Sequence, residues 1–411
     1  MTGRSTDAPV AFAALRHRTF RAYFLTSAAA MMADNIEHVI SYWVIFEKFQ
    51  SPALGGFAVL SHWLPFLLFS VYSGALADRY DCRRIIQLAL LLFMGVSLAW
   101  GLLFLTDTIE MWHAMVLLVV HGFAGVIWQP AAQLLVPDIV GMGGLQSAIR
   151  RGATSRYLGL LMGPALGGAL MLALGPPAGL LVNVLIYLPM MLWLWKIPHD
   201  GHRRRMQVAP RPGGLSDAIA TLREAAGNRT IFSMILLAGV SSLLVGNAFQ
   251  AQMPEYAHDL GTDDAGMQYS ILLGANAAGA LAGGLILESR GLLQPRPQTA
   301  IVFTLLWCLA IGGFAAATDY SLAVALMFVA GFLNLASGAM SQTLVQAHAP
   351  ERLRGRLIGL YNTANNGLRA FSGVTVGVAG SLIGIHWSLA LSAIVLLAAT
   401  LGLWAFAMRA R

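Results

Sequence analysis

The sequence has 411 residues, of which 57% are hydrophobic and only 11% are charged. A soluble domain carries roughly 25% charged residues, so this composition excludes an ordinary soluble globule and predicts that the chain is solvated mainly by lipid. The net charge of +7 does not indicate a nucleic-acid ligand, because the arginines are spread between apolar segments rather than gathered in one domain.

Twelve apolar segments are each long enough to cross the ~30 Å hydrocarbon core of a bilayer as a helix. They span residues 22–47, 55–77, 84–106, 112–136, 149–174, 177–197, 229–253, 266–288, 298–317, 321–344, 355–382 and 386–408. Short alternating strands are not found in the sequence, so all the segments are interpreted as helices. The predicted fold class is an all-α integral membrane protein with twelve transmembrane helices.

The basic residues indicate which side of the membrane each loop faces. Of the 26 Lys and Arg residues, all but Lys48, Arg156 and Arg369 lie in the two tails or in the loops that follow segments 2, 4, 6, 8 and 10. The opposite loops carry mainly Asp and Glu. Because basic loops stay on the cytoplasmic side, both termini are predicted to be cytoplasmic.

A polar stretch at residues 198–228 separates the first six segments from the last six. Its first half, with three consecutive arginines at 203–205, is interpreted as a basic linker whose charge fixes the topology. Specific lipid binding is the less favoured alternative. Its second half places Leu215, Ile219 and Leu222 at helical spacing, which predicts an amphipathic helix on the inner face of the membrane.

The two groups of six segments are related by an internal repeat. A shift of 210 residues places Gly74–Asp78 on Gly284–Glu288, with an acid over an acid. We therefore predict two pseudo-symmetric six-helix bundles, residues 1–197 and 229–411, with a substrate site between them near the middle of the bilayer.

A charged motif lies between the second and third segments. Its pattern, Gly-x-Leu-x-Asp-Arg-x-x-x-Arg-Arg, resembles the loop motif of the major facilitator superfamily. The polar and glycine positions of the motif are Gly74, Asp78, Arg79, Arg83 and Arg84.

Two further stretches resemble the exporters of that superfamily. The exporter motif of the fifth helix is matched by Gly159, Gly163, Pro164, Gly167 and Gly168. The stretch Gln346–Asn362 is similar to the region before helix 11 in a bacterial branch that includes macrolide-efflux and enterobactin-export proteins. Together with the six-plus-six layout, the resemblance covers essentially the whole chain.

The resemblance implies a multi-pass protein of the bacterial cytoplasmic membrane. Such a protein would export a small amphiphilic molecule, for example a drug, siderophore or metabolite, by alternating access and with proton coupling. An importer or a lysolipid or lipid transporter of the same fold is the alternative. The expected partners are the substrate, protons and membrane lipid, and we expect a monomer.

The sequence favours neither an enzyme nor a cofactor protein. It contains no phosphate-binding loop, hydrolase elbow or metalloprotease motif. Cys82 and Cys308 are isolated, so neither a disulfide framework nor a metal-binding spacing is predicted.

Asp78 lies where the second segment ends at the predicted cytoplasmic surface. The resemblance implies that this aspartate contacts the start of helix 11 and holds the outward-facing state. Arg354 and Arg356 lie at that start, so a latch from Asp78 to one of these arginines is predicted. The alternative is a solvated loop that only fixes topology. In the repeat copy Ser289 replaces Arg79, so the latch is placed in the first copy.

The fifth segment has two interpretations. Pro164 frees a backbone carbonyl and can bend the helix, and the neighbouring glycines allow close helix contact. By resemblance this bend favours export, whereas a simple packing motif would say nothing about direction.

Ionisable residues at membrane depth are costly and therefore indicate function. Asp34, Glu37 and His38 lie in the middle of the first segment, at spacings that place all three on one helical face. They are the predicted site of proton or substrate handling. The alternative is that they only bond neighbouring helices.

Arg369, in the eleventh segment, is the predicted cationic member of this site. Asp34 or Glu37 could pair with it in the empty carrier, and a substrate anion could take their place. Arg156 is a weaker candidate, because its side chain can reach the cytoplasmic surface.

Polar side chains in other segments are individually weaker cavity candidates, because such side chains often only bond neighbouring helices. They are Gln129, Asn247, Gln250, Asn334, Asn362 and Asn366. The proton-antiporting drug exporters of the superfamily usually carry an arginine in helix 4. The fourth segment lacks it and carries His121 instead, which leaves the coupling mechanism open.

Overall fold

The computed structural model describes residues 13–201, 215–261, 265–290, 296–350 and 353–408, and all the regular structure in these ranges is helical. After a 3-10 turn at Ala13–Arg16 come α1 (Arg18–Phe49), α2 (Pro52–Arg79), α3 (Cys82–Leu105), α4 (Met111–Leu174) and α5 (Pro176–Lys196). The second part contains α6 (Leu215–Gly227), α7 (Arg229–Leu244), α8 (Ala248–Ala251), α9 (Met253–Asp259), α10 (Ala265–Arg290), α11 (Pro297–Ala316), α12 (Tyr320–His348), α13 (Arg354–Asn362), α14 (Arg369–Ser372), α15 (Ala379–Ile383) and α16 (Ile385–Met408).

Eight helical spans among the described residues are long and apolar enough to cross a membrane. They are Pro52–Ser70, Cys82–Leu105, Met111–Gly141, Pro176–Lys196, Arg229–Ala251, Pro297–Ala316, Tyr320–His348 and Ile385–Ala407. The first, fifth, eighth and eleventh predicted segments are also helical, but they are not among these eight. The first carries Asp34 and Glu37, and the eleventh carries Arg369. The total of twelve spans therefore stays a prediction.

The fourth and fifth predicted segments both lie within the range labelled α4, in which two helices meet at a kink. At the kink Gly141 adopts the non-helical angles φ 70° and ψ 174°. This conformation favours glycine, since a positive φ is strained for other residues. The kink lets the two helices of α4 take different directions.

Two predicted segments of the second part are irregular. The seventh breaks at Gly246, where φ is 50° and an added Cβ would lie 2.5 Å from Ser372 Oγ. The eleventh alternates between α-helix and wider π-helical turns at 363–367 and 373–378. Such π-turns are rare and are found mostly at functional sites.

The helices run between two ends of the bundle. We call the end that holds residues 80–82 and 197–201 the linker end, because Cys82 N donates to Asp200 O at 2.9 Å there. We call the other the far end. There Lys48 pairs with Asp107, and Gln252 Nε2 donates to Pro52 O at 2.8 Å.

The helices before and after the linker meet at the far end and in the middle of the bundle. On α10, Tyr269 donates its hydroxyl to Val39 O of α1 at 2.9 Å. A Cβ on Gly56 of α2 would lie 2.3 Å from Gly373 O. The backbone of α2 is therefore in direct contact with the backbone of the π-turn at 373–378. Nearer the linker end, by contrast, Leu68 and Tyr72 of α2 are 61% and 69% exposed.

The predicted amphipathic helix corresponds to α6, at Leu215–Gly227. Among its described side chains, Thr221 and Ala225 are buried and Leu222 is 47% exposed. Leu222 therefore lies on the outer side of α6, where the predicted apolar face would meet lipid.

Candidate functional site

Two carboxylates of α1 meet one histidine of α4 in the centre of the first five helices. His121 Nδ1 bonds to Glu37 Oε1 at 2.6 Å, and His121 Nε2 lies 3.0 Å from Asp34 Oδ1. Glu37 and His121 are only 2% and 4% exposed. A protonated His121 would neutralise one of the two acids, which reduces the cost of burying them.

Glu37 is also held by residues of α3 and α5. Ser97 donates its hydroxyl to Glu37 Oε2. Asn183 Nδ2 in turn donates to Ser97 Oγ at 3.1 Å and to Ala33 O at 3.0 Å. The hydrogen bonds come from residues of three neighbouring helices, so the Glu37 carboxylate is held in one position.

Three histidines form the other side of this cluster. His38 Nδ1 donates to Asp34 O at 2.7 Å, and its Nε2 lies 3.2 Å from His62 Nδ1 on α2. The His38 and His121 rings are edge to face with centroids 4.7 Å apart. We call Asp34, Glu37, His38, His62 and His121 the polar cluster.

Arg369 lies beside the polar cluster on the other group of helices. Its guanidinium carbon is 5.1 Å from the centre of the Trp63 ring on α2, one residue from His62. Arg369 is only partly exposed. Asp34 and Glu37 are both paired with His121, and the pairing of these acids with Arg369 stays a prediction.

Sequence reasoning did not place His62 and His121 at the site. Both face Asp34 and His38 only because α2 and α4 pack beside α1, and 24 and 83 residues separate them from His38. The sequence held part of this information, because His121 is a histidine of the fourth segment, where the resemblance implies an arginine.

Gln129 lines a cavity of about 200 Å³ between α2 and α4. The other lining residues are Phe66, Ser70, Val126, Pro130 and Gln133. Phe66 contacts the His62 ring, with centroids 6.0 Å apart. The cavity therefore lies next to the polar cluster, on its linker-end side.

The remaining cavity candidates are dispersed. Asn334 and Asn362 are exposed, and Gln250 is partly exposed. Asn366 accepts a hydrogen bond from Asn365 Nδ2 at 3.1 Å. Asn247 has a buried side-chain oxygen at the break after α7 that makes no hydrogen bond to the described residues. The structure thus does not gather these amides at the polar cluster, and the side chain of Arg156 lies outside the described set.

The charged loop between α2 and α3 is braced by Arg83. Its guanidinium makes an ion pair of 2.7 Å with Asp81, and its Nη1 donates to Ile197 O at 2.6 Å. Partial burial raises the pKa of Asp81, but the hydrogen bonds from Arg83 outweigh it and hold that pKa below its usual value. Arg84 donates to Gln87 Oε1 at 3.0 Å.

The predicted latch from Asp78 to Arg354 or Arg356 stays a prediction. Asp78, Arg79 and Arg356 are exposed, and the side chain of Arg354 lies outside the described set. Gly74 makes no close helix contact in this conformation, since a Cβ there would meet no described atom within 4 Å.

The glycines of the fifth-helix motif lie at two helix–helix contacts. Gly159, Gly163 and Gly167 face α1, and a Cβ on Gly163 would lie 2.3 Å from the Cβ of Asn35. Gly168 faces α10, where a Cβ would lie 2.5 Å from Ser270 Oγ. The motif therefore holds α4 close to α1, while Pro164 lies inside the helix.

A second group of titratable residues lies at the far end. Glu255 of α9 lines a small pocket with Tyr42 of α1 and Gly55 of α2. Burial, and then the nearby carboxylate of Asp259, raise the pKa of Glu255 to about 7. Asp259 itself lies 3.3 Å from His386 Nε2.

Known proteins resemble the chain along nearly its whole length. The family profile described as "Transmembrane secretion effector" matches residues 9–411. The enterobactin exporter EntS of Shigella boydii serotype 4 is 26% identical over 383 residues, covering 89% of this chain and 86% of the exporter. The staphyloferrin A transporter of Staphylococcus aureus is 23% identical over 190 residues, covering 44% of this chain and 48% of that protein.

Solved transporters share the fold. A bacterial homologue of the human lysosomal transporter Spinster, in an inward-facing and unoccupied conformation, has a TM-score of 0.68 and 17% identity, covering 96% of this chain and 97% of that one. The nucleoside transporter NupG has a TM-score of 0.70 and 15% identity, covering 94% and 99%. The all-helical membrane fold, the location in the bacterial inner membrane and the transport role predicted from the sequence are thus confirmed, whereas the number of twelve helices and the cytoplasmic termini stay predictions. The chain belongs to the transmembrane secretion effector family, in the exporter branch of the major facilitator superfamily.

Proposed function

We propose that this membrane transporter works by alternating access between two six-helix bundles, residues 1–197 and 229–411, joined by the linker at 198–228. The observation that carries the proposal is the one-sided contact between the helices before and after the linker. Gln252 bonds to Pro52, and Gly56 touches Gly373, at or towards the far end. An inward-facing carrier has this arrangement if the linker end is cytoplasmic, as the basic loops predict.

The predicted site residues take their roles within this scheme. Asp34, Glu37, His38 and Arg369 handle the substrate, with Gln129 at the entrance of the cavity. Asp78, with Arg354 or Arg356, forms the latch that closes the linker end when the far end opens. The support is positional: Arg369 reaches from one bundle to Trp63 on the other, beside the polar cluster.

The exported molecule is proposed to be siderophore-like. Two relatives are named for siderophores: an enterobactin exporter and a staphyloferrin A transporter. The site suits a polar, anionic solute with apolar parts. It combines a guanidinium on an indole ring with the carboxylate–histidine cluster, and rings such as Phe66 line the path.

Proton entry is proposed as the driving force. Glu255 lies at the closed far end, where the bundles meet, and its pKa of about 7 lets it take up a proton near neutral pH. That proton would be taken from the periplasmic side as the far end closes, because burial of the carboxyl is what raises its pKa. The participation of Asp34 and Glu37 in proton handling stays a prediction from the sequence.

Inverted membrane vesicles test the proposal directly. Vesicles containing the full chain should accumulate enterobactin or staphyloferrin A when their interior is acidified, and a protonophore should abolish the uptake. The matched negative control is Arg369→Gln, which removes the cation from the proposed site. Vesicles without the protein give the background.

The outcomes separate the alternatives. Uptake of neither siderophore would exclude the proposed substrate class. Uptake that is insensitive to the protonophore would exclude proton coupling but leave export in place. Movement of labelled lysolipid in proteoliposomes without a pH gradient would favour the lipid-transporting alternative instead.

A further inference from the structure

The polar cluster has the geometry of a metal site. We propose that three histidines and one aspartate at its centre bind a divalent first-row transition metal ion, for which Zn²⁺ is the representative probe. The four ligand atoms are His38 Nε2, His62 Nδ1, His121 Nε2 and Asp34 Oδ1.

The separations between these atoms match those of ligands around one ion. Zinc lies about 2.0–2.1 Å from its nitrogen and oxygen ligands, so tetrahedral ligand atoms are about 3.3 Å apart. His38 Nε2 is 3.2 Å from His62 Nδ1, and His121 Nε2 is 3.0 Å from Asp34 Oδ1. The three histidines offer ligand atoms that all lie within 4.8 Å of one another. Side-chain rotations that move the ligand atoms by about 1–1.5 Å would bring all four to tetrahedral separations.

The other nitrogens of two histidines are already anchored. His121 Nδ1 bonds to Glu37 at 2.6 Å, and His38 Nδ1 bonds to the backbone oxygen of Asp34 at 2.7 Å. Metal-ligating histidines almost always donate their second N–H to a carboxylate or a backbone carbonyl, which fixes the ring and the tautomer. Both anchors leave Nε2 as the atom that faces the centre of the site.

His121 Nε2 is buried without a hydrogen bond. Asp34 Oδ1 lies 3.0 Å away as an ion-pair neighbour, but among the described residues the nitrogen makes no hydrogen bond. His121 is only 4% exposed, and leaving a buried polar atom without a hydrogen bond is unfavourable. An ion coordinated by Nε2 and by Asp34 would satisfy both groups at once.

The donor set selects the class of ion. Three imidazoles and one carboxylate suit Zn²⁺, Cu²⁺, Ni²⁺ and Fe²⁺, whereas Mg²⁺ and Ca²⁺ prefer sites made only of oxygen. The ligands come from α1, α2 and α4, all before the linker. The bound ion would therefore tie these three helices together, and the site needs nothing from the second bundle.

Zinc binding to the purified full chain tests this inference independently of transport. The protein is isolated in detergent through a tag without histidines, stripped with a chelator and titrated with Zn²⁺ against a chromophoric competitor. We expect one Zn²⁺ per chain in wild type, no displacement by excess Mg²⁺, and loss of stoichiometric binding in His62→Ala and in Asp34→Asn. The matched control His348→Ala, an exposed histidine bonded to its own helix, should bind as wild type does.

A substitution at Glu37, which anchors His121, and a spectroscopic measurement distinguish coordination from a general loss of folding. Glu37→Gln should weaken Zn²⁺ binding by about 10–100-fold without abolishing it. Bound Co²⁺ should give the intense visible absorption of a tetrahedral complex. Size-exclusion profiles show which variants stay folded. The inference is overturned if wild type binds no Zn²⁺ or Co²⁺ stoichiometrically, or if a folded His62→Ala or Asp34→Asn variant binds as tightly as wild type.

Discussion

At the scale of single residues, His121 connects groups that lie far apart along the chain. It contacts Asp34 and Glu37 of α1 and packs its ring against His38 and His62. The resemblance described above leads us to expect an arginine in this helix, and a histidine in its place changes the chemistry. An arginine is always charged, whereas histidine can be neutral and can coordinate a metal.

The bond from Ser97 to Glu37 predicts a measurable cost at the residue scale. Ser97→Ala should lower the stability of the protein by about 2 kcal/mol, because it leaves a buried carboxylate oxygen with one bond fewer. The matched control is Ser61→Ala, since the buried hydroxyl of Ser61 bonds only to Ala58 O of its own helix, at 3.1 Å. Thermal unfolding in detergent, followed by tryptophan fluorescence, compares the two variants. Equal losses would contradict the role of Ser97.

At the scale of elements, α2 closes the far end through glycine. An alanine at Gly56 would place its Cβ 2.3 Å from Gly373 O and 2.9 Å from Gly377 Cα. These are backbone atoms, so the helices themselves must separate, at a cost of about 1–3 kcal/mol. Gly56→Ala should therefore increase the fraction of molecules whose far end is open by about fivefold or more.

Spin labels on Thr108 and Thr318, two exposed residues at that end, report the opening as a longer distance. Gly95→Ala is the control, because no described atom lies within 4 Å of a Cβ there. Both native cysteines are buried, so labels attached through new cysteines remain specific. A distance distribution for Gly56→Ala equal to that of wild type would contradict the packing argument.

The element α9 should make the closed far end sensitive to pH. Glu255 has a pKa of about 7 in the closed form, against an ordinary value of 4.5. The closed form therefore binds more protons between these values. Its stability rises as the pH falls from 7 towards 4.5 and is lost as the pH rises through 7. The charged neighbours are Asp259, His258 and His386, which act in opposite directions on this carboxyl.

The same pair of labels measures this effect. In wild type, the far end should open more at pH 8 than at pH 6, and Glu255→Gln should remove most of the difference because its side chain does not titrate. Glu47→Gln, an exposed acid at the same end, should keep the wild-type response. An unchanged pH profile in Glu255→Gln would assign the response to other groups.

The elements were predictable from the sequence where hydrophobicity is continuous. Segments such as 84–106 and 298–317 correspond to α3 and α11 within one or two residues. The break after α7, the kink in α4 and the π-turns were not predictable, because they depend on contacts with distant residues. Gly246, for example, packs on Ser372, which lies more than a hundred residues away along the chain.

The site was predictable in part for the same reason. Asp34, Glu37 and His38 lie on one helix, so their spacing alone predicts that they act together. His62 and His121 join them only through the packing of α2 and α4. Single-sequence spacing carries no information on that packing, so neither was placed at the site, and no metal site was predicted.

At the scale of the whole molecule, the latch should control the balance between the two states. Asp78→Ala is expected to favour the inward-facing form by up to about fivefold, because an exposed ion pair is worth about 0–1 kcal/mol. A cysteine at Ser70, which lines the cavity next to the polar cluster, should then react faster with a water-soluble maleimide. Glu47→Ala, at the opposite end, is the control. Equal labelling rates for Asp78→Ala and wild type would contradict the latch.

The polar cluster lies entirely within the helices before the linker, and this affects how fast the carrier can work. A rocking motion moves these helices together, so the bonds from Glu37 to His121 and Ser97 need not break on the way between states. The free energy needed to break buried charged pairs, which is large in a protein interior, therefore does not contribute to the activation barrier. What must break are cheaper contacts, such as the touching glycines and the hydrogen bonds from Gln252 to Pro52 and from Tyr269 to Val39. A molecule held by the cluster would thus be carried across without being released halfway.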